Sequence, residues 1–252
     1  MDTSKLIELW KKDEEMSFKG WDFAYIRDRW EEESLPWDYS DIIMSYLKPN
    51  YKLLDMGTGG GEFLLSLNHP YNNTSVTEAW EPNFKLCKEK LEPLGICVRQ
   101  LVDDITLPFE DNSFDIVINR HESYDAREIS RVLRPNGIFI TQQVGGRNNE
   151  ILSKRLIKNF ISLYNYLTLD YSVEDLKLNS FEIIYQNEYY PYLHFFDIGA
   201  IVFFAKIIEW EFPGFSVDSC FDELYRMQEE LHTKPYIESI EHRYIIVSKN
   251  KK

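Results

Sequence analysis

The side chains best suited to proton transfer stand together near the middle of the chain, in the run Asn119-Arg120-His121-Glu122, directly after an apolar segment. An imidazole has an ordinary pKa near neutrality, so His121 could accept a proton from an OH or NH group. Glu122 could orient His121 or replace it as the base. The alternative is that His121 only hydrogen-bonds the neighbouring backbone or packs against a ligand.

A second stretch places four glycines within the five positions 57–61, after a short apolar run. Glycine is used where the backbone takes a positive φ or lies against a ligand with no Cβ between them. A strand, a Gly-rich turn and a helix open a nucleotide-binding half of a doubly wound α/β fold. Phosphate ligands fit poorly, because Glu62 replaces the third fingerprint glycine and no Lys-Ser/Thr pair follows. The turn therefore favours a cationic or zwitterionic ligand.

The pattern Asp55-x-Gly57-x-Gly59-x-Gly61 resembles motif I of the class I S-adenosylmethionine-dependent methyltransferases. This resemblance implies that Gly57, Thr58, Gly59 and Gly61 lie along the methionine part of the cofactor and that Asp55 helps to orient it. Taken alone, the motif could also be a glycine-rich turn without a ligand.

The same fold expects an acidic residue at the end of the next strand, about 20 residues on, to accept hydrogen bonds from ribose hydroxyls. Glu78 ends a β-type run and follows Asp55 by 23 residues. Glu81 is its competitor. We favour Glu78, because Glu81-Pro82 is typical of the N-terminus of a helix, here over 83–91.

Two further cofactor contacts are implied by the resemblance. In the family pattern, the acid before Leu-Pro-Phe, here Asp103, accepts the adenine amino group, and the backbone of Asp104 lies close to the ring. Two adjacent acids in a loop can also be only a solvated turn. Asn119, at the end of the expected fourth strand, is assigned to the cofactor site as well.

The run 131–137 is similar to the family's turn into strand five, with Asn136 where glycine is usual. Asparagine tolerates the same left-handed backbone. A helix should stop at Pro135 and Gly137, and a β-branched strand should follow. The resemblance thus implies an α/β fold with a doubly wound, Rossmann-like sheet of seven mostly parallel strands. Its last two strands are expected over 181–190 and, antiparallel, over 241–248.

We expect a single methyltransferase domain over residues 1–252. Its parts are an N-terminal helical lid over 1–48, a cofactor-binding core over 49–146, and the remaining strands with substrate-side insertions over 147–252.

Aromatic residues are candidates for the substrate side of the site. Trp21, Tyr25 and Trp37 are predicted to form an aromatic lid, with plain core packing as the alternative. Arg147 could hold an anionic substrate group or be an ordinary surface arginine. The aromatic run 189–196 could line an apolar pocket or form core beneath a helix over 198–210.

Charge and composition narrow the partners. Twenty-eight Lys and Arg against 42 Asp and Glu give a net charge of −14, which argues against a nucleic-acid partner. No segment approaches the roughly 20 apolar residues of a membrane helix, and residues 1–12 lack the apolar region of a signal peptide, so we expect a cytoplasmic protein without membrane insertion. The three cysteines have no metal-ligand spacing, so no metal is expected.

These patterns predict an S-adenosylmethionine-dependent methyltransferase that acts on a small molecule by in-line methyl transfer. An aromatic or apolar molecule is the candidate acceptor. The alternatives are an RNA or DNA methyltransferase, or a non-catalytic S-adenosylmethionine-binding sensor or partner protein. The acceptor atom, the need for a general base and the oligomeric state stay open.

Overall fold

The computed structural model describes residues 3–17, 23–102 and 106–252. The helices, in chain order, are α1 (Thr3–Glu14), α2 (Tyr39–Tyr46), α3 (Glu62–Ser66), α4 (Glu81–Leu91), α5 (Ala126–Val132), α6 (Glu150–Leu156), α7 (Leu169–Leu178), α8 (Ile198–Ile207) and α9 (Val217–Glu230). The strands are β1 (Trp30–Glu32), β2 (Leu53–Met56), β3 (Thr74–Glu78), β4 (Cys97–Gln100), β5 (Phe114–Arg120), β6 (Leu133–Val144), β7 (Phe181–Tyr189), β8 (Tyr192–Phe195), β9 (Ile237–Ile240) and β10 (Arg243–Asn250).

The chain divides into two compact units. Unit 1 comprises Met1–Leu35, Gly145–Asn165 and Tyr189–His242, and unit 2 comprises Pro36–Val144, Tyr166–Glu188 and Arg243–Lys252. Each unit has its own hydrophobic core. The single domain over 1–252, with its parts 1–48, 49–146 and 147–252, stays a prediction.

Unit 2 is built on a sheet whose described strands have the order β4-β3-β2-β5-β6-β10-β7. β2 pairs in parallel with β3 and β5, and the pairs of β4 with β3 and of β6 with β5 are also parallel. β10 runs antiparallel to β6. The strand order reverses between β2 and β5, and ligands of such sheets bind outside the carboxyl ends of the strands at this point. The predicted doubly wound sheet of seven mostly parallel strands is confirmed.

The continuous apolar runs of the central strands follow from burial on both faces of the sheet. Leu54 and Val117 face a core shared with α5 and α7, whereas Leu53 and Ile116 face a core shared with α2 and α4. Neighbouring residues of one strand therefore need apolar side chains for opposite faces, and the strand ends are left to carry the polar groups.

The helix before β6 ends earlier than the sequence predicts. α5 stops at Val132 and β6 begins at Leu133, which has extended backbone angles (φ −73°, ψ 142°), so the predicted stop at Pro135 and Gly137 was wrong by a few residues. Proline also disfavours helical geometry in the residue before it. Asn136 adopts the predicted left-handed conformation, with φ of 66°.

The described part of unit 1 combines α1, α6, α8 and α9 with a small antiparallel sheet of the order β1-β8-β9. Residues of α1, α6, α8 and α9 share one core with Leu193 and Phe195 of β8. Tyr192 and His194 occupy the other face of β8, where His194 stacks on the rings of Tyr192 and Tyr236. The aromatic run 189–196 is thus partly core and partly outer sheet face, because side chains alternate along a strand.

The helices of the described ranges contain no segment with the length and hydrophobicity that a membrane crossing requires.

Candidate active site

The glycine turn follows β2 and leads into α3 at the point where the strand order reverses. Gly57, Gly59 and Gly61 all have positive φ, of 66°, 62° and 78°. A Cβ on Gly57 would lie 2.8 Å from the Cβ of Glu122, and one on Gly61 would lie 3.0 Å from the Leu91 side chain. At Gly59, no atom of the described residues lies within 4 Å of such a Cβ. Gly59 therefore exposes bare backbone to open space.

The end of β3 is tied to this turn by Glu78. The Gly59 N–H donates to Glu78 Oε2 at 2.8 Å, and the Trp80 N–H donates to Oε1 at 3.3 Å. The Cys87 thiol of α4 donates to the Gly59 carbonyl at 3.0 Å and holds the turn from the other side. The backbone that faces open space is thus fixed by groups from β3 and α4.

Glu81, the competitor of Glu78, lies elsewhere. It stands exposed in the first turn of α4, 3.1 Å from Lys85 Nζ and 2.6 Å from the Gln100 amide. Burial raises the pKa of Glu78, while hydrogen bonds from Gly59 and Trp80 act in the opposite direction. The geometry places Glu78 at the turn, and its contact with a ribose stays a prediction.

Glu62 does not face the open side of the turn. Its carboxylate, whose side chain is 73 % exposed, pairs with Lys90 of α4, and Lys90 also donates to the Gly60 carbonyl at 2.9 Å. The charge of Glu62 is thereby compensated.

Asp55, in β2, is 5 % exposed. Burial raises the pKa of its carboxyl group to about 7; the Thr58 hydroxyl and the charge of Arg120 lower it, and the charge of Glu78 raises it. Two buried carboxyl groups thus lie beside the glycine turn. A ligand that brings positive charge or hydrogen-bond donors would be stabilised here, in agreement with the prediction from the sequence.

A network of amide side chains occupies the carboxyl ends of β5 and β6. Asn119 is fully buried, and its Oδ1 accepts from Thr141 Oγ1 at 3.1 Å and from Gln143 Nε2 at 2.5 Å. The Tyr39 hydroxyl donates to the Asn119 carbonyl at 3.0 Å. Asn119 Nδ2 has no hydrogen-bond partner among residues 3–17, 23–102 and 106–252. A buried amide without an acceptor is costly, so this group suits a ligand oxygen.

His121 belongs to a second chain of hydrogen bonds at this edge. The indole N–H of Trp37 donates to Gln142 Oε1 at 2.8 Å, and Gln142 Nε2 lies 3.4 Å from His121 Nε2. Because an indole nitrogen can only donate, the Gln142 amide nitrogen must face His121. His121 Nε2 is then the acceptor, and the proton of the neutral ring lies on Nδ1.

The protonation state of His121 agrees with this geometry. The surrounding protein and the charges of Arg243 and Arg120 hold the pKa of the imidazole well below its ordinary value. His121 is exposed to solvent, which limits how far its surroundings lower the pKa. A lowered pKa leaves the imidazole neutral at pH 7. His121 also has a left-handed backbone, with φ of 63°.

Glu122, the second predicted catalytic residue, lies directly against the glycine turn. Its side chain fills the position that a Cβ on Gly57 would occupy, and its carbonyl accepts from Gln143 Nε2 at 3.0 Å. Contact with the turn is therefore present, whereas the catalytic roles of His121 and Glu122 stay predictions.

The other predicted residues are dispersed. Trp21, Asp103 and Asp104 lie outside the described residues. Tyr25 and Arg147 belong to unit 1. The Tyr25 hydroxyl donates to Asp13 at 2.8 Å. Arg147 is exposed, and its backbone N–H donates to His242 Nδ1 at 3.3 Å. The roles of all these residues toward a cofactor or substrate stay predictions.

Sequence reasoning assigned no role to four residues of this edge, although it placed three of them at the strand ends: Tyr39, which it did not place, and Arg120, Gln142 and Gln143, which it did. The one available signal was the polar pair Gln142-Gln143 at the end of an otherwise apolar strand, where carboxyl ends of parallel strands meet. Nothing local distinguished Tyr39 from the other aromatic residues near it.

Comparisons with known proteins agree with this arrangement. Residues 54–141 match a family described as methyltransferase domain. Over 210 residues, which cover 74 % of this chain and 86 % of the relative, the chain is 28 % identical to the uncharacterized protein MJ0638 of Methanocaldococcus jannaschii. Over 89 residues, 32 % of each chain, it is 36 % identical to the phthiotriol/phenolphthiotriol dimycocerosates methyltransferase of Mycobacterium tuberculosis. This second match thus spans about a third of that relative.

Solved structures show the same fold. The YcgJ protein of Bacillus subtilis superposes with a TM-score of 0.56 at 16 % identity and covers 85 % of this chain and 98 % of its own. A SAM-dependent methyltransferase of Methanosarcina mazei reaches 0.51 at 16 % identity, over 83 % and 96 % of the two chains. The [4+2]-cyclase SpnF also reaches 0.51, at 17 % identity, over 84 % and 79 %.

The sheet order and the glycine turn at the strand reversal define the class I methyltransferase fold. The family match runs from Leu54 in β2 to Thr141 in β6 and so includes the turn, Glu78 and Asn119. The chain therefore has the class I methyltransferase fold, and its residues 54–141 match the methyltransferase-domain family.

Proposed function

We propose that this protein is an S-adenosylmethionine-dependent methyltransferase whose acceptor is a small molecule. The observation that carries the proposal is the backbone of Gly59, which is held by Glu78 and Cys87 and faces open space. Positive φ alone accounts for a glycine, as at Gly214, but the bare backbone of Gly59 also lies beside the buried carboxyl groups of Asp55 and Glu78, at the strand reversal where ligands of such sheets bind.

The residues around Gly59 fit the cofactor. The buried carboxyl group of Asp55 suits the ammonium group of the amino-acid part, and Glu78 suits the ribose hydroxyls as an acceptor. The Asn119 Nδ2 group, which lacks a partner among the described residues, offers a donor to a carbonyl, carboxylate or ring nitrogen. Asp103 and Asp104 are retained for the adenine on the resemblance alone.

The cofactor would supply an activated methyl group together with its leaving group. The task of the chain is then to align the acceptor and to exclude water. Where the acceptor atom carries a proton, the neutral His121 ring is one candidate to receive it, with Glu122 as the other. Since His121 Nε2 is already engaged by Gln142, we expect positioning to contribute more than proton removal.

A small acceptor fits the charge of the chain better than a nucleic acid does. The net charge of −14 repels a phosphate backbone, and the carboxyl groups beside the turn add to that repulsion locally. An RNA or DNA methyltransferase is therefore the weaker candidate.

The proposal is tested by blocking the space outside Gly59. Gly59→Asn retains a residue that tolerates positive φ, and it places a side chain where the cofactor would lie. We expect calorimetry to show at least about tenfold weaker binding of S-adenosylhomocysteine, a difference of about 1.4 kcal/mol.

Gly214→Asn is the matched control, because Gly214 lies in unit 1 with φ of 72°. A Cβ placed on Gly214 would likewise have no atom of the described residues within 4 Å. It should have the same small effect on stability and leave binding intact. Equal binding by Gly59→Asn and the natural protein would contradict the cofactor site.

Methyl transfer needs its own measurement, since a [4+2]-cyclase shares the fold. A screen with methyl-labelled S-adenosylmethionine and a broad acceptor panel should give labelled product. Tight cofactor binding without transfer to any acceptor would instead support a non-catalytic sensor or partner protein.

A further inference from the structure

Arg120, the last residue of β5, lies on an aromatic platform. Its guanidinium carbon is 4.7 Å from the ring centroid of Phe63 and 5.9 Å from that of Tyr39. The two rings are stacked, with centroids 5.3 Å apart. Tyr39 is fixed in turn by its hydroxyl, which donates to the Asn119 carbonyl. The platform thus comes from α2 and α3 and holds the cation at the carboxyl edge of the sheet.

The platform leaves the donors of Arg120 available. Within residues 3–17, 23–102 and 106–252, no hydrogen bond or ion pair of its guanidinium is present, whereas Arg29, Arg131 and Arg155 each pair with two carboxylates. A guanidinium that stacks on a ring keeps its N–H groups in its own plane, where they can meet a carboxylate or phosphate in bidentate geometry.

The position of Arg120 links it to the candidate site. It directly precedes His121, and its charge lowers the pKa values of Asp55 and His121. Its guanidinium therefore lies within electrostatic range of both the glycine turn and the imidazole. In a chain with a net charge of −14, a cation at this edge without an acidic partner among the described residues selects for a negatively charged ligand group.

We infer that Arg120 binds a carboxylate or phosphate group of a small-molecule ligand at the carboxyl edge of β5. The inference rests on the proposed function, which makes this edge a cofactor and acceptor site. It adds that one of these ligands carries a carboxylate or phosphate group. Two sources supply this chemistry: an anionic methyl acceptor, or the carboxylate in the amino-acid part of the cofactor.

The experiment compares the natural protein, Arg120→Gln and the control Arg127→Gln. Arg127 lies on α5, with 79 % of its side chain exposed, and its replacement changes the net charge equally. Calorimetry measures the affinity of each protein for S-adenosylhomocysteine and for 5′-methylthioadenosine, which lacks the amino-acid part. NMR then follows benzoate and inorganic phosphate titrated into each protein, with and without S-adenosylhomocysteine.

We expect Arg120→Gln to weaken one interaction by about tenfold or more, as loss of a charge-assisted bidentate contact does. Weaker binding of S-adenosylhomocysteine with unchanged binding of 5′-methylthioadenosine assigns the group to the cofactor. Weaker binding of benzoate or phosphate to the cofactor-loaded protein assigns it to the acceptor. Arg127→Gln should change neither.

The inference is overturned if Arg120→Gln, folded as judged by its NMR spectrum, binds every probe as the natural protein does, or if Arg127→Gln shows the same losses. Failure of the proposed function has a different signature, because the natural protein would then bind neither nucleoside probe. Anion binding that depends on Arg120 in the absence of nucleosides would still be measured by the NMR arm. Phe63→Leu should give a smaller, several-fold loss for the same probe, since it removes part of the platform and keeps the charge.

Discussion

The carboxyl ends of β2 and β3 and those of β5 and β6 belong to one sheet but differ in their chemistry. The first edge consists of bare glycine backbone and two buried carboxyl groups, Asp55 and Glu78. The second consists of neutral amide side chains, a neutral imidazole and the stacked cation of Arg120. The first edge suits a cationic ligand part, and the second suits oxygen atoms and negative charge.

This contrast supports the proposal that the sheet holds a zwitterionic cofactor at one edge and an acceptor at the other. The backbone edge depends mainly on main-chain groups and on two carboxyl side chains. The amide edge depends on side chains, several of them at the strand ends, which suits the selection of an acceptor.

The largest expected effect concerns the buried carboxyl group of the first edge. The folded pKa of Asp55, about 7, lies above its ordinary value of 3.8. Between these pH values the unfolded chain loses a proton that the folded protein keeps, so the free energy of unfolding falls as the pH rises. This one group should lower stability by up to about 4 kcal/mol by pH 8.

Asp55→Asn should remove that decline, which denaturant titrations at pH 4 to 8 would measure. Glu62→Gln is the contrasting variant, because Lys90 lowers the pKa of Glu62 and its contribution is present at neutral pH and lost on acidification. A pH dependence that Asp55→Asn leaves unaltered would mean that Asp55 is ionised in the folded protein.

The second effect separates Glu78 from Glu81. Glu78→Ala should weaken S-adenosylhomocysteine binding by roughly 10- to 100-fold, because it removes a buried charged acceptor worth about 1.5–3 kcal/mol. Glu81→Ala should leave the affinity for S-adenosylhomocysteine unchanged, since Glu81 pairs with Lys85 and Gln100 at the surface. Calorimetry on both variants decides between them, and a reversed order of losses would move the ribose site to Glu81.

The smallest effect on affinity is expected at the second edge. Nitrogen NMR should show His121 as the neutral ring with its proton on Nδ1, and Gln142→Leu should shift the proton toward Nε2. His121→Ala should leave cofactor affinity within about twofold and lower turnover if the ring takes part in transfer. A protonated His121 at pH 7, or a tautomer that Gln142→Leu does not change, would contradict the hydrogen-bond chain from Trp37.

The strand, turn and helix of the first edge could be predicted from the sequence because their determinants are local, whereas the ligand contacts of this edge stay predictions. Glycine permits the positive φ of Gly57, Gly59 and Gly61, and a buried acid 23 residues after Asp55 reaches the turn because β2 and β3 are parallel neighbours. The choice of Glu78 over Glu81 for a place at the turn agrees with the hydrogen bond to Gly59. The early end of α5 escaped prediction, since the extended backbone of Leu133 is set by pairing with β5.

The sequence by itself thus determined the fold class, the glycine turn and the acids that face it, because strand, turn and helix signals act over a few residues. Only the tertiary structure decided the second edge: Trp37 meets Gln142 across 105 positions, and Tyr39 meets Asn119 across 80. It also decided that residues from three separate segments share the core of unit 1. Such contacts depend on how elements pack in space, and no local pattern of residue types encodes which distant polar groups will meet.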